Sequence, residues 1–87
     1  MWMMQQLLLM RLDQRIAIFL WDEMSRLNQS VLLITHENIA NQIGSAREAV
    51  TRVLKYFEQE HILTLGRGKV EISDKNKLKE AAYPSVT

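Results

Sequence analysis

The chain has 87 residues, enough for one domain near the lower size limit for independent folding. A hydrophobic fraction of 47% allows a small core, whereas a formal charge of +1 marks no partner by itself, so any electrostatic argument must rest on where the basic residues fall. The lack of cysteine excludes disulfides, thiolate zinc sites, cysteine-ligated iron–sulfur clusters and a cysteine nucleophile within this chain.

Residues 1–10 are apolar almost all round. They have no basic residue ahead of the apolar run and no small-residue cleavage site, and they are too short to span a bilayer. They read as helix. Leu9, Leu12, Ile16, Phe19, Leu20, Met24 and Leu27 recur at spacings of three and four, which predicts one apolar helical face. Asp13 can cap a helix start, so two pieces are expected, over residues 1–12 and 13–27. The first piece is either a chain end that packs locally or the tail of a longer dimerisation helix covered by a partner chain.

Asn28-Gln29-Ser30 is a polar break, and residues 31–34, rich in β-branched side chains, predict a brief strand. Thr35 can cap the next helix, with Ile39, Ala40 and Ile43 inward, and Gly44 ends it by supplying a positive φ. Ser45 and Glu48 then stand three apart, the spacing of a capping box. Val50, Val53, Leu54 and Phe57 form an i, i+3, i+4, i+7 stripe, and Arg47, Glu48, Thr51, Arg52, Lys55 and Gln59 gather on the other side. This helix is expected over residues 45–60. From Ile62 the period becomes two: Leu63 and Leu65, then Val70 and Ile72, flank Gly66-Arg67-Gly68 as a hairpin. A short helix is expected over residues 76–82, and a tail over residues 84–87.

Two short helices joined by a glycine turn and followed by a hairpin predict a winged helix-turn-helix, mainly α with a small β-hairpin (α+β). The first helix would hold the second so that its polar face enters a DNA major groove. Arg47 and Arg52 offer forked donors to guanine, Glu48 can accept from a cytosine amino group, and Thr51 can meet a thymine methyl, a base edge or a phosphate. Lys55, farther along, and Arg67 and Lys69 on the wing suit phosphate contacts that position without specifying. His36 and Ser45 are expected at phosphates too. Glu48 remains open between base reader and helix cap.

Residues 34–55, ITHENIANQIGSAREAVTRVLK, closely resemble the helix-turn-helix of the Crp/Fnr family of bacterial transcription regulators. The likeness extends back over residues 13–27 and on through the wing at residues 62–72, and its specific element is Arg47-Glu48-x-x-x-Arg52 after the Gly44 turn. The resemblance implies that Arg47, Glu48 and Arg52 read a palindromic site with a TGA-like core and that Thr35 touches phosphate. It implies a cytoplasmic, nucleoid-associated homodimer with RNA polymerase as a further partner and no membrane contact. Family members also carry an N-terminal sensor, so residues 1–12 would be the end of a dimerisation helix and residues 13–83 the DNA-binding domain. No cofactor is expected in this domain, and the effector of a sensor is unknown. Two positions depart from the family: His61, where glycine is frequent, and Ala46, where some members have a hydroxyl.

Other chemistries find little support. His36-Glu37 lacks the second ligand of a zinc protease motif because Ala40 stands four residues after His36. The three glycines form no phosphate loop, and no nucleophile–base pair can be argued, so neither catalytic residues nor a metal site are expected. Phe19, Trp21 and Tyr56 read as core or interface rather than a stacking platform for single strands. The alternative function is a winged-helix protein-interaction or dimerisation module without DNA readout.

Overall fold

The computed structural model describes residues 11–84. Helix α1 (Leu12–Leu27) buries Ile16, Ala17, Leu20 and Met24, the inward stripe that its spacing predicts. Leu27 departs from that stripe and is 42% exposed, because the helix ends there and Asn28 turns the chain away with φ 53°. The expected break before α1 lies at Arg11 rather than Asp13. Arg11 is extended and occupies the cap position, while Asp13 sits inside the first turn, its carboxylate accepting the Gln14 amide at 2.9 Å and pairing with Arg11 at 2.8 Å. A negative charge there still favours the helix dipole. The rest of the piece expected over residues 1–12 lies outside the described residues, as does the tail beyond Pro84.

Strand β1 (Val31–Leu32) is shorter than expected and pairs antiparallel with β3 (Lys69–Ile72), placing Leu32 opposite Val70. Strand β2 (Leu63–Gly66) pairs with the other edge of β3, Leu63 opposite Ile72 and Leu65 opposite Val70, so the hairpin becomes a three-stranded sheet in the order β1-β3-β2. The period of two turns Leu63, Val70 and Ile72 inward. The connecting turn is only Arg67-Gly68, with Gly68 at φ 68°, because Gly66 still pairs with Lys69.

Helix α2 (His36–Ile43) and helix α3 (Arg47–Gln59) form the helix-turn-helix, and α4 (Lys75–Ala82) packs its Leu78 and Ala82 inward. Asp74 caps α4 by accepting the Lys77 amide. One core joins all layers: Ile16 and Leu20 of α1, Ile39 of α2, Val50, Leu54 and Phe57 of α3, Leu63 and Val70 of the sheet and Leu78 of α4 are almost wholly excluded from solvent. Each is worth about 1.5–3 kcal/mol of apolar transfer, the term that holds a domain of this size together. Polar groups fasten the helix ends. Arg15 of α1 donates to the Ile43 carbonyl at the end of α2, Gln14 to Ala82, and Lys77 to Glu60 at the end of α3. The result is a winged helix-turn-helix whose second helix is braced from three sides.

Candidate nucleic-acid interface

The candidate surface begins at Thr35. Its hydroxyl accepts the Asn38 amide at 3.0 Å while the Asn38 side-chain oxygen accepts the Thr35 amide at 3.2 Å, a reciprocal capping box. The sequence pattern pointed to Thr35 but missed Asn38, since glutamate or glutamine is the usual partner at that place. After its eight residues the helix stops at Gly44, whose φ of 78° lets the amides of Gly44 and Ser45 both donate to the Ala40 carbonyl, at 2.8 and 3.0 Å.

That ending corrects the expectation for Ser45 and Glu48. Ser45 belongs to the termination of α2, so the cap position of α3 falls on Ala46, extended at φ −72° and ψ 141°, and no side chain caps the helix. A capping box needs a hydroxyl at the cap itself, and the register is one residue late. Glu48 therefore folds back on nothing: it is exposed, and its side chain joins no hydrogen bond or ion pair among the described residues. Helix α3 runs from residue 47 rather than 45 and ends at Gln59.

Helix α3 buries Val50, Leu54 and Phe57, so its opposite side is presented outward by necessity. Arg47, Glu48, Arg52 and Lys55 are exposed there, and Thr51 is half-buried among them. Thr51 is held by α2: its Oγ1 lies 2.8 Å from His36 Nδ1. Burial first, then the charges of Arg47 and Lys55, hold the His36 imidazole below its ordinary value of 6.5. A cleft of about 340 Å³ lies between the start of α2, the start of α3 and the wing, lined by Thr35, His36, Glu37, Arg47, Gly66 and Gly68. It brings Thr35, His36 and Arg47 beside the wing tip, with exposed Arg67 and Lys69 flanking Gly68. Lys69 folds across Gly66, where a Cβ would meet its Cε at 2.7 Å.

The wing is fastened to α3 by a side chain that no sequence pattern singles out. Glu58, on the last turn of α3, accepts the Leu65 amide at 3.0 Å and ties β2 to α3. Between them His61 adopts φ 63°, with its amide donating to Glu58 and the Ile62 amide to Phe57, the paired bonds of a Schellman ending. Phe19 and Trp21 pack against the core, whereas Tyr56 is 50% exposed and stands beside Phe57. Among the described residues no cluster of three or more His, Asp or Glu could hold a metal ion, and no helix is long and apolar enough to cross a membrane.

Comparison with known proteins agrees with this architecture. The family profile of the Crp-like helix-turn-helix domain matches residues 14–81. The transcriptional regulator SdrP of Thermus thermophilus is 40% identical over 52 residues, covering 60% of this chain and 26% of that protein. The crystal structure of a regulator assigned to the Crp/Fnr family from Eubacterium rectale superposes with a TM-score of 0.84 at 43% identity, covering 93% of this chain and 38% of that one. The catabolite activator protein of Thermus thermophilus gives a TM-score of 0.74 at 32% identity, over 82% of this chain and 33% of its own. The chain thus spans between about a quarter and two-fifths of the length of these relatives. With this profile matched over the helices and the sheet of the described residues, the chain belongs to the Crp-like helix-turn-helix domain family.

Proposed function

We propose that this chain binds duplex DNA sequence-specifically as the DNA-binding part of a transcription regulator, with α3 in the major groove and the β2–β3 wing on the sugar–phosphate backbone. One observation carries this reading: α3 exposes Arg47, Glu48, Arg52 and Lys55 on one face while Thr35, His36 and the wing tip converge beside Arg47. Arg47 and Arg52 supply forked donors to guanine, Glu48 an acceptor for cytosine, and Thr51 a contact to a base edge or methyl. The freedom of Glu48 from any cap supports its assignment to base readout. Thr35, His36, Ser45, Lys55, Arg67 and Lys69 take phosphates, and these contacts fix register rather than sequence.

A palindromic site follows if the full-length regulator is a two-fold dimer, with half-sites one helical turn, about 34–36 Å, apart. The DNA-binding domain then runs from Arg11, which caps α1, to residue 83, and the residues before Arg11 lead to the dimerisation contact. RNA polymerase is a further partner, and the setting is the bacterial cytoplasm. The domain needs no cofactor and performs no catalysis; an effector would act on a sensor outside it. One observation favours a second reading as a protein-interaction module: Leu33 is 85% exposed, near Leu27 and Val31 at 42% and 38%.

The two readings separate in a titration of palindromic duplex at several salt concentrations. Releasing counterions lowers log affinity by about 0.9 per log unit of salt for each phosphate neutralised, so Lys55, Arg67 and Lys69 predict a slope of about −3 per protomer. Absence of binding at low salt would contradict the DNA reading and leave the interaction module.

A further inference from the structure

The bond between His36 Nδ1 and Thr51 Oγ1 is the one side-chain hydrogen bond joining α2 to α3 among the described residues. It ties an imidazole to a hydroxyl on the reading face. A threonine hydroxyl has one hydrogen to give and two lone pairs with which to accept. A neutral imidazole carrying its hydrogen on Nε2 accepts at Nδ1, whereas the protonated ring donates from both nitrogens. What remains of the hydroxyl for a base edge therefore depends on the ring. With His36 neutral, Thr51 gives its hydrogen to Nδ1 and offers only lone pairs outward, suited to the amino groups of cytosine or adenine. With His36 protonated, Nδ1–H occupies a lone pair of Oγ1 and the hydroxyl hydrogen is released to meet guanine O6 or N7, or thymine O4.

We propose that His36 is a positioning residue that sets the hydrogen-bond role of Thr51 toward DNA, so that the base preferred opposite Thr51 changes when His36 takes up a proton. This rests on the DNA-binding reading above and assigns a control to one of its contacts. The surroundings make the proton available to ligand control. Arg47 and Lys55 face the ring from α3, Glu37 stands next to it on α2, and Arg67 and Lys69 flank the glycines across the cleft on the wing. From α1 the charged Arg15 is spent at the far end of α2, on the Ile43 carbonyl. Partial burial and the two cations of α3 keep the free ring neutral above pH 6.5. A DNA phosphate entering the same cleft brings a negative charge and acts in the opposite direction.

The test uses palindromic duplexes with TGA and TCA arms in which each other half-site position carries all four base pairs, titrated from pH 5.5 to 8.5 at constant ionic strength. At one position the ratio of affinities should swing by roughly three- to tenfold across this range, the worth of one hydrogen bond gained or lost. His36→Gln, which cannot titrate, and Thr51→Val, which lacks the hydroxyl, should each abolish the swing, and Thr51→Ser should restore it. A preference that ignores pH in the unaltered protein, or a swing that survives in His36→Gln, would overturn the proposal. Nitrogen-15 spectra of the free protein should show the neutral ring with its hydrogen on Nε2; a hydrogen on Nδ1 would also overturn it. Failure of the unaltered protein to bind any of these duplexes at low salt is a different result, and it removes the DNA reading along with the proposal.

Discussion

The two ends of α3 are both reached through left-handed backbone, and they predict opposite responses to complementary substitutions. Gly44, at φ 78°, precedes α3, and a Cβ built on it meets nothing within 4 Å, so Gly44→Ala introduces no clash and its whole effect is conformational. The left-handed region costs an L side chain about 1–2 kcal/mol, and the stiffer unfolded chain returns about 0.4–1 kcal/mol. The expected loss is about 1 kcal/mol, or a fall in Tm of about 4–8 °C for a domain of this size. His61, at φ 63° after α3, already carries that strain, though histidine tolerates it better than most residues. His61→Gly should therefore stabilise by about 0.5 kcal/mol. The 13 residues of α3 separate the two sites by about 20 Å, so the effects should add in the double variant. Urea and thermal unfolding followed by circular dichroism measure all three. An unchanged or raised Tm for Gly44→Ala would refute the assigned turn geometry, as would a destabilised His61→Gly.

Other expectations concern the site. Because His36 titrates below 6.5 in the folded protein, the unfolded chain binds more protons as the pH falls through 6.5, and stability should decline from there until the lowered value is passed. His36→Gln should flatten that part of a stability–pH profile, and an unaltered slope would contradict the burial of the ring. Glu58→Ala frees the Leu65 amide, so hydrogen exchange of the wing should quicken and stability fall by about 1 kcal/mol, with α3 itself unaffected; equal exchange in both proteins would mean the wing is held by other means. Lys69→Ala should weaken binding to all duplexes alike and reduce the salt slope by about 0.9, whereas a sequence-selective loss would move Lys69 from the backbone to a base.

Much of this arrangement is legible from residue order because local physics decides it. Only glycine meets the positive φ at residue 44 without strain, a threonine before a helix has one evident use, and the Val50, Leu54 and Phe57 spacing leaves one face inward. The failures lie where a neighbour in space decides. Ser45 looked like a cap, but its amide was claimed by Ala40, and the cap passed to an alanine. Nothing local shows that β1 will pair with β3, that Glu58 will reach Leu65, or that His36 will find Thr51, since each bond spans 7–40 residues of chain. The outward face of α3 was foreseeable residue by residue: burial of the other side leaves Arg47, Glu48, Arg52 and Lys55 exposed. Its supports were not.

The most direct measurement is the affinity of the unaltered protein and of Arg52→Ala for every single-base-pair variant of one palindromic duplex. If α3 reads the major groove, Arg52→Ala should lose about 1–3 kcal/mol on the preferred duplex and flatten the preference at one base pair in each half-site, leaving the others intact. A loss of equal size on every duplex, or no loss at all, would contradict the placement of α3 as the reading helix.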